Sequence, residues 1–241
     1  MKKLLIALFV TFIFIGTVKA YSNNEYTIDI PEGYKATNLD TGDYDIDSNE
    51  TFMNDDGNAI NITVVSFTKG SSDYFTEDML NEIADSGCNI KEDQKELIIK
   101  NLKDMYGDDI NEKEIEKYAN SYICMGVKKK EIIKSTKNNY RSYHIIFEYG
   151  SLEYRTYTDA YLYISNNKIY TVSLSASSME ELESDSVKNI INSFTIKNYK
   201  EGGTTINPYK GAITRILMIS VVGALAAVMV KIRNKNNKKM Q

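Results

Sequence analysis

Three neighbouring stretches decide the fold: YRSYHIIFEYG (Tyr140–Gly150), YRTYTDAYLYIS (Tyr154–Ser165) and KIYTVSLSAS (Lys168–Ser177). Each is rich in aromatic and β-branched residues, which suit a pleated, half-buried surface. Turn residues separate them, Gly150-Ser151 and Asn166-Asn167. The combination predicts antiparallel strands joined by tight turns. EIIKS (Glu131–Ser135) adds a fourth strand in front, so a four-stranded meander is expected. Strand side chains alternate between faces. Thr158, Ala160, Leu162 and Ile164 therefore share one face, and Tyr157, Asp159, Tyr161 and Tyr163 the other. The first set is the better core. The second, with Tyr157, Tyr161 and Tyr163, is either a recognition face offering contact area with polar tips, or a second face that helices cover.

Upstream of the meander the period changes to that of helices. Phe75, Met79, Leu80 and Ile83 fall on one helical face before Gly87. Ile98, Leu102 and Met105 mark a second helix ending near Gly107. Ile115, Tyr118, Ala119, Tyr122 and Ile123 mark a third, with its stop near Gly126. Lys128-Lys129-Lys130 reads as a solvated connection. Downstream, Ser178-Met179-Glu180-Glu181 is a capping box that opens one helix with Leu182, Val187, Ile190 and Ile191 on its apolar face. At the front, YTIDIP (Tyr26–Pro31) is a strand closed by a turn. TFMNDDGNAINITVVSF (Thr51–Phe67) is a hairpin that turns at Asp55-Asp56-Gly57.

The opening YTIDIPEGYK, the strand INITVVSF followed by a helix, the meander ending NKIYTVSLSAS and the last helix closing on NIINSF together resemble the PsbP-like family, over about residues 25–197. The resemblance implies an α+β fold in which an antiparallel β-sheet is flanked by helices, an α/β/α sandwich. Here it would carry a helical insertion near 88–126. It also implies a binding or assembly module, and it brings no catalytic residues with it.

The two ends carry a different signal. Met1-Lys2-Lys3, an apolar stretch from Leu4 to Gly16 and Thr17-Val18-Lys19-Ala20 have the parts of a secretory signal peptide, cut after Ala20 (residues 1–20). The other reading is an uncleaved anchor, for which the apolar stretch is short. Near the other terminus no residue from Ile216 to Val230 is charged. Fifteen helical residues reach only about 22 Å. Adding Ala212–Arg215, with Arg215 snorkelling outward, gives a membrane span at 212–230. The basic tail 231–241 then stays inside the cell. Residues 199–211, polar and Gly-bearing, form a tether. The domain between, 21–198, faces outward. Asn207-Pro208-Tyr209-Lys210-Gly211 also resembles a degraded sortase motif, with Lys where that pattern wants Thr, so a wall-attached protein is an alternative.

The chain holds 29 Lys+Arg and 33 Asp+Glu; residues 21–211 keep all the acids and 20 of the bases, a net charge near −13. That balance excludes a nucleic-acid binder driven by phosphate neutralisation. It admits cationic partners or metal ions, and it equally suits an exported domain that must stay soluble. Asp43, Asp45 and Asp47 alternate as at the start of a calcium loop, with Glu50 as a further oxygen ligand. Ser48 and Asn54, however, stand where such a loop needs Gly and Glu. A calcium-dependent module and a solvated acidic turn both stay open. Cys88 and Cys124 are the two cysteines, either bridged in an oxidising compartment or left as free thiols. His144 is the single histidine, and an enzyme would have to assemble its site around it. No phosphate loop, zinc spacing or nucleophile elbow is present. The expected protein is thus a non-catalytic binding module of the cell envelope, anchored by one span in the cell membrane. It would hold no cofactor, calcium apart, and its partner would be an envelope protein or wall component.

Overall fold

The computed structural model describes residues 18–200 apart from 43–45, 67–74, 90–91, 108–109, 122, 136–137 and 151–154. Among the described residues, ten strands form two antiparallel sheets and five helices accompany them. Strands β3 (Lys35–Thr37), β4 (Ser48–Met53), β5 (Ala59–Ser66), β6 (Ile123–Lys134), β7 (Arg141–Gly150), β8 (Arg155–Ser165) and β9 (Lys168–Ala176) form the larger, in the order β3-β4-β5-β9-β8-β7-β6. The smaller sheet sets β2 (Tyr26–Pro31) between β1 (Val18–Ser22) and β10 (Thr195–Ile196). The class is α+β with antiparallel sheets, as the periodicities imply. The meander β6-β7-β8-β9 runs in sequence order. Asn166 and Asn167 both take positive φ, 53° and 60°, which is the two-residue hairpin geometry that matches strand twist.

Each face of the large sheet has its own core. On one side Tyr143, Ile145, Phe147 and Tyr149 of β7 and Ala160 and Leu162 of β8 are buried with α1 (Glu77–Cys88), α2 (Glu92–Tyr106) and α3 (Glu112–Ser121). On the other, Ile60, Ile62 and Val64 of β5 and Val172 and Leu174 of β9 are buried. With them lie Tyr26 and Ile28 of β2 and the helices α4 (Met179–Leu182) and α5 (Asp185–Ser193). Strand β5 is buried on both faces, and its two buried polar residues are satisfied there: Asn61 donates to the Thr51 hydroxyl and the Thr63 hydroxyl donates to Asn49.

Helix α1 is held at both ends by one strand. The amide of Thr76, its N-cap, donates to the Tyr143 hydroxyl at 3.2 Å, and the Tyr149 hydroxyl donates to the Gly87 carbonyl at 2.8 Å. Cys88, its last residue, is disulfide-bonded to Cys124 in β6. The bridge therefore closes the base of the excursion that contains α2 and α3. Of the two open alternatives for the cysteines, the structure holds the bonded one.

Five local expectations are corrected. Gly87 does not stop α1; the helix runs one residue further, to Cys88, and the Tyr149 hydroxyl satisfies the Gly87 carbonyl in its last turn. The third helix ends at Ser121, and Ile123 opens β6 instead. Gly126 is a bulge residue at φ 144°, a backbone state that L side chains rarely adopt, although a Cβ there would meet no atom within 4 Å. Lys128-Lys129-Lys130 belongs to the edge strand β6, where lysines discourage further strand pairing. The capping box at Ser178 opens only the four-residue α4; Ser184 then caps α5 as a separate helix. Strands β1, β3 and β10 have no counterpart in the sequence reading. The predicted cut after Ala20 falls within β1. Among the described residues no helix is long and apolar enough to cross a membrane, and the apolar run at 212–230 lies outside them.

Candidate functional site

The sheet face that carries α4 and α5 changes character from β9 to β6. Strand register sets Glu131 beside His144 and His144 beside Tyr161, a row across three strands. Asp159 precedes Tyr161 by two residues and so shares its face. The four side chains meet. His144 Nδ1 lies 2.9 Å from Glu131 Oε1, and Nε2 lies 2.7 Å from Asp159 Oδ1. The Tyr161 ring stacks on the imidazole, with centroids 4.4 Å apart and planes within 12°. Its hydroxyl donates to Asp159 Oδ2 at 3.3 Å.

One step along the strands lies a second charged group. Glu148 is 2% exposed, and a carboxylate so far from water needs compensation. It receives it from Lys128 at 2.5 Å, Arg155 at 3.1 Å and the Tyr157 hydroxyl at 3.3 Å. A register shift in β6 between Val127 and Lys129 lets consecutive lysines serve both groups. Lys128 reaches Glu148, and Lys129 pairs with Glu131 at 2.8 Å.

The electrostatics follow from this packing. Burial pulls the His144 pKa down, but the hydrogen bonds and charges of Asp159 and Glu131 more than offset that and hold it above its ordinary value. The Lys129 ammonium, and then His144, hold the Glu131 carboxyl below its usual range. Lys128 does the same for Glu148. Burial, with Asp159 alongside, drives the Tyr161 phenol far above ordinary tyrosine values. An imidazole that faces a carboxylate at each nitrogen is used as a donor twice, which is the protonated form. A general base needs one nitrogen free to take a proton from a nucleophile. His144 has both committed. The cluster is therefore a charge-balanced clamp that ties β6, β7 and β8 together.

The other predicted site residues are dispersed. Asp43 and Asp45 lie outside the described residues. Asp47 accepts from the Ser66 hydroxyl at 2.5 Å and pairs with Lys168 at 3.2 Å. Glu50 engages the Tyr21 hydroxyl instead and, after burial itself, contributes to pushing that phenol up to about 12. Among the described residues no three His, Cys, Asp or Glu side chains are placed to hold a metal ion. Of the tyrosine face, Tyr163 is 3% exposed and packs on Phe194 at 5.2 Å, so it belongs to the core rather than to a recognition surface. Tyr157 and Tyr161 are half-buried where that core meets the charged groups.

A cleft of about 560 Å³ opens at the far side of the molecule, between β1 and β2 and the ends of β3 and β4. Its walls include Tyr21, Ile30, Tyr34, Ala36 and Phe52. The volume is that of a small-ligand or peptide-side-chain site. Sequence reasoning missed this cleft and also the partners Glu131, Glu148 and Arg155. Glu131 already lay on the expected EIIKS strand; fixing the turn so that Lys134 pairs with Arg141 and counting back would have set it opposite His144.

No family profile and no curated protein matches the chain. Among solved structures, the chain is similar to cyanobacterial PsbP (CyanoP) from Synechocystis sp. PCC 6803. That match has 13% identity and a TM-score of 0.42, and covers 77% of this chain and 95% of that one. A protein from Bacteroides thetaiotaomicron VPI-5482 matches at 11% identity and a TM-score of 0.37 over 78% of this chain, which spans only half of that protein (50%). The Ran-binding protein Mog1p of Saccharomyces cerevisiae matches at 11% identity and a TM-score of 0.34, over 75% of this chain and 96% of that one. The resemblance to PsbP is loose and is one of fold.

Proposed function

We propose that this chain is an exported protein whose domain, residues 21–198, stands outside the cell as a non-catalytic binding or assembly module. A single span at 212–230 would hold it to the membrane, with the tail 231–241 on the cytoplasmic side. In this reading the helices on both faces of the large sheet make it an α/β/α sandwich of the PsbP kind. The observation that carries the location is the Cys88–Cys124 disulfide, since such bonds persist in oxidising compartments and are rare in the cytosol. The signal-like residues 1–20 and the basic end of the apolar run agree with it. Binding rather than catalysis is favoured by His144, whose two nitrogens are both taken by carboxylates. The partner in this proposal is another envelope protein or a wall component.

Two measurements test it. Protease added to intact, wall-stripped cells should digest the domain and leave a short fragment containing 212–241 in the membrane. Protection of the domain while a known surface protein is cut would remove the proposal. Crosslinking in living cells, followed by mass spectrometry, should recover an envelope protein or wall fragment attached to the domain.

A further inference from the structure

We propose that the end of the domain from which the chain leaves β10 is a lipid-docking rim, which seats on anionic headgroups of the membrane that holds the span. This rests on the span at 212–230 in the reading above. The β6–β7 and β8–β9 turns lie at one end of the large sheet, where Lys134 pairs with Arg141 and Ser165 with Lys168. An ion pair of 2.7 Å from Lys168 to Glu25 brings the β1–β2 turn to the same end. The exit from β10 is fastened to all three turns. The Lys197 amide donates to the Glu25 carbonyl at 2.7 Å, Asn138 donates to the Phe194 carbonyl at 2.8 Å, and the Lys200 amide donates to Ser165 Oγ at 3.0 Å. The Tyr199 ring lies 4.0 Å from that of Tyr140. The chain therefore departs toward the span from this rim.

The rim is basic, in a domain whose net charge is near −13. Lys134, Lys197 and Lys200 are exposed, and Arg141 lies over the Phe75 ring at 4.9 Å. Among the described residues none of these four cations is paired with a carboxylate. Lys197 donates to neutral acceptors, the Ser22 hydroxyl at 3.1 Å and the Asn23 carbonyl. The acids of the rim, Glu25 and Asp47, both pair with Lys168. Glu77 and Asp78 lie in the first turn of α1, against the positive end of that helix. The opposite end of the strands has the reverse sign. Glu32, Asp55, Asp56, Glu180, Glu181 and Glu183 are exposed there, while Lys35 pairs with Asp55, and Lys128 and Arg155 share Glu148.

Lengths decide which end meets the bilayer. Strand β8, of 11 residues, separates the two ends by about 35 Å. Residues 201–211, as a tether, have a typical span of about 20 Å. Placing the acidic end on the membrane would draw them back along the domain, close to their full extension of about 36–40 Å. Placing the rim there leaves them slack. Charges act over about 8 Å at physiological salt, so the rim's cations are the ones within reach of the headgroups. Lysines and arginines held that close to an anionic lipid surface are attracted to it. Chain path and charge thus select the same occupant.

The experiment uses the full chain, reconstituted into nanodiscs of phosphatidylcholine alone or of phosphatidylcholine with phosphatidylglycerol. Lysine acylation is followed residue by residue by mass spectrometry. Lys134, Lys197 and Lys200 should react at least about fivefold more slowly in the anionic discs, and Lys35 and Lys128 at the same rate in both. Salt at about 0.5 M should abolish the difference. The double variant K134E/K200E, whose altered side chains make no described bond, should stay inserted and lose the protection of Lys197. An inserted chain with equal rates in the two discs, or with Lys35 and Lys128 slowed as much as the rim, overturns the docking and leaves the anchoring reading standing. A chain that alkaline carbonate extracts from vesicles overturns both. Rim protection that needs added polyglutamate, and not anionic lipid, overturns the lipid in favour of an acidic protein.

Discussion

Cys88, the last residue of α1, is joined to Cys124 in β6 with Cα atoms 5.0 Å apart, across a sequence separation of 36 that contains all of α2 and α3. The bridge makes a helical excursion into a closed loop. Cross-linking a loop of that length removes chain entropy from the unfolded state worth about 4 kcal/mol in the simplest treatment. Replacing both cysteines with serine is therefore expected to lower stability by up to about 4 kcal/mol, measured by urea denaturation. Hydrogen exchange should rise first in α2 and α3, while β7–β9 keep their protection. Equal loosening of the meander would show that the bridge acts on the whole domain.

His144 should be worth most through Asp159. Removing one partner of a buried ion pair leaves the other charge stranded, at a cost of about 3–5 kcal/mol. Glu131 is half-exposed and keeps Lys129, so it loses little. Asp159 is 4% exposed and depends on the imidazole. H144L is expected to destabilise by about 3–5 kcal/mol, and the double variant H144L/D159L to be more stable than H144L alone. A double variant at the additive sum of the single changes would mean that the two residues are not coupled.

The same clamp predicts a pH dependence with a definite sign. The folded-state pKa of His144 is raised above its unfolded value of about 6.5. The folded protein therefore holds the proton more tightly than the unfolded chain. This stabilisation is fully present below about pH 6.5 and is lost as pH rises through the raised folded value. Glu131 acts at the other end: its pKa is lowered, so its contribution is present above the ordinary carboxyl value of 4.5 and is lost on acidification. Unfolding midpoints measured from about pH 6 to 9 should fall with pH in the native protein, and fall less steeply in H144Q. Parallel slopes would place the titration elsewhere.

The hydroxyl of Tyr149 offers a third check on α1. It is buried and donates to the Gly87 carbonyl. Tyr149→Phe keeps the ring and leaves that carbonyl without this donor, an expected loss of about 1–3 kcal/mol in urea denaturation. A neutral result would show that water or a neighbouring donor takes the place of the hydroxyl.

Local chemistry accounts for the strands and turns that could be read without coordinates. The Asn166-Asn167 turn, the alternation in β8 and the bond from the Glu181 amide to the Ser178 hydroxyl depend on residues close in sequence and hold, although the helix that this cap opens is only four residues long. Misreadings cluster where distant residues decide. Ile115, Ala119 and Ile123 keep helical spacing, yet Ile123 joins β6 because β7 offers it a strand partner at Gly150. Gly126 looks like a helix stop and is a bulge, since the same left-handed tolerance serves both. Strands β1, β3 and β10 are too short to carry a period and exist through their partners. The His144 clamp escaped for a related reason. Glu131, His144 and Asp159 could each be assigned to strands, but their meeting depends on the pairing register across β6, β7 and β8, which starts where Lys134 pairs with Arg141. Cys88 and Cys124 had equal claims to being bridged or free, because spacing along a chain does not fix the distance between two elements.

The tyrosines of β8 separate core from rim, and one pair of substitutions measures the boundary. Tyr163 lies between Phe194 at 5.2 Å and Tyr140 at 6.2 Å, and its truncation leaves a cavity under α5. Tyr163→Ala is expected to cost about 3–5 kcal/mol. Tyr157→Phe removes one hydroxyl from Glu148, which keeps Lys128 and Arg155, so a loss of about 1 kcal/mol or less is expected. Thermal and urea unfolding of the two variants side by side should give that order. If Tyr163→Ala were tolerated at full stability, the helices would not be packed on this face, and the tyrosines of β8 would regain their claim to be a surface.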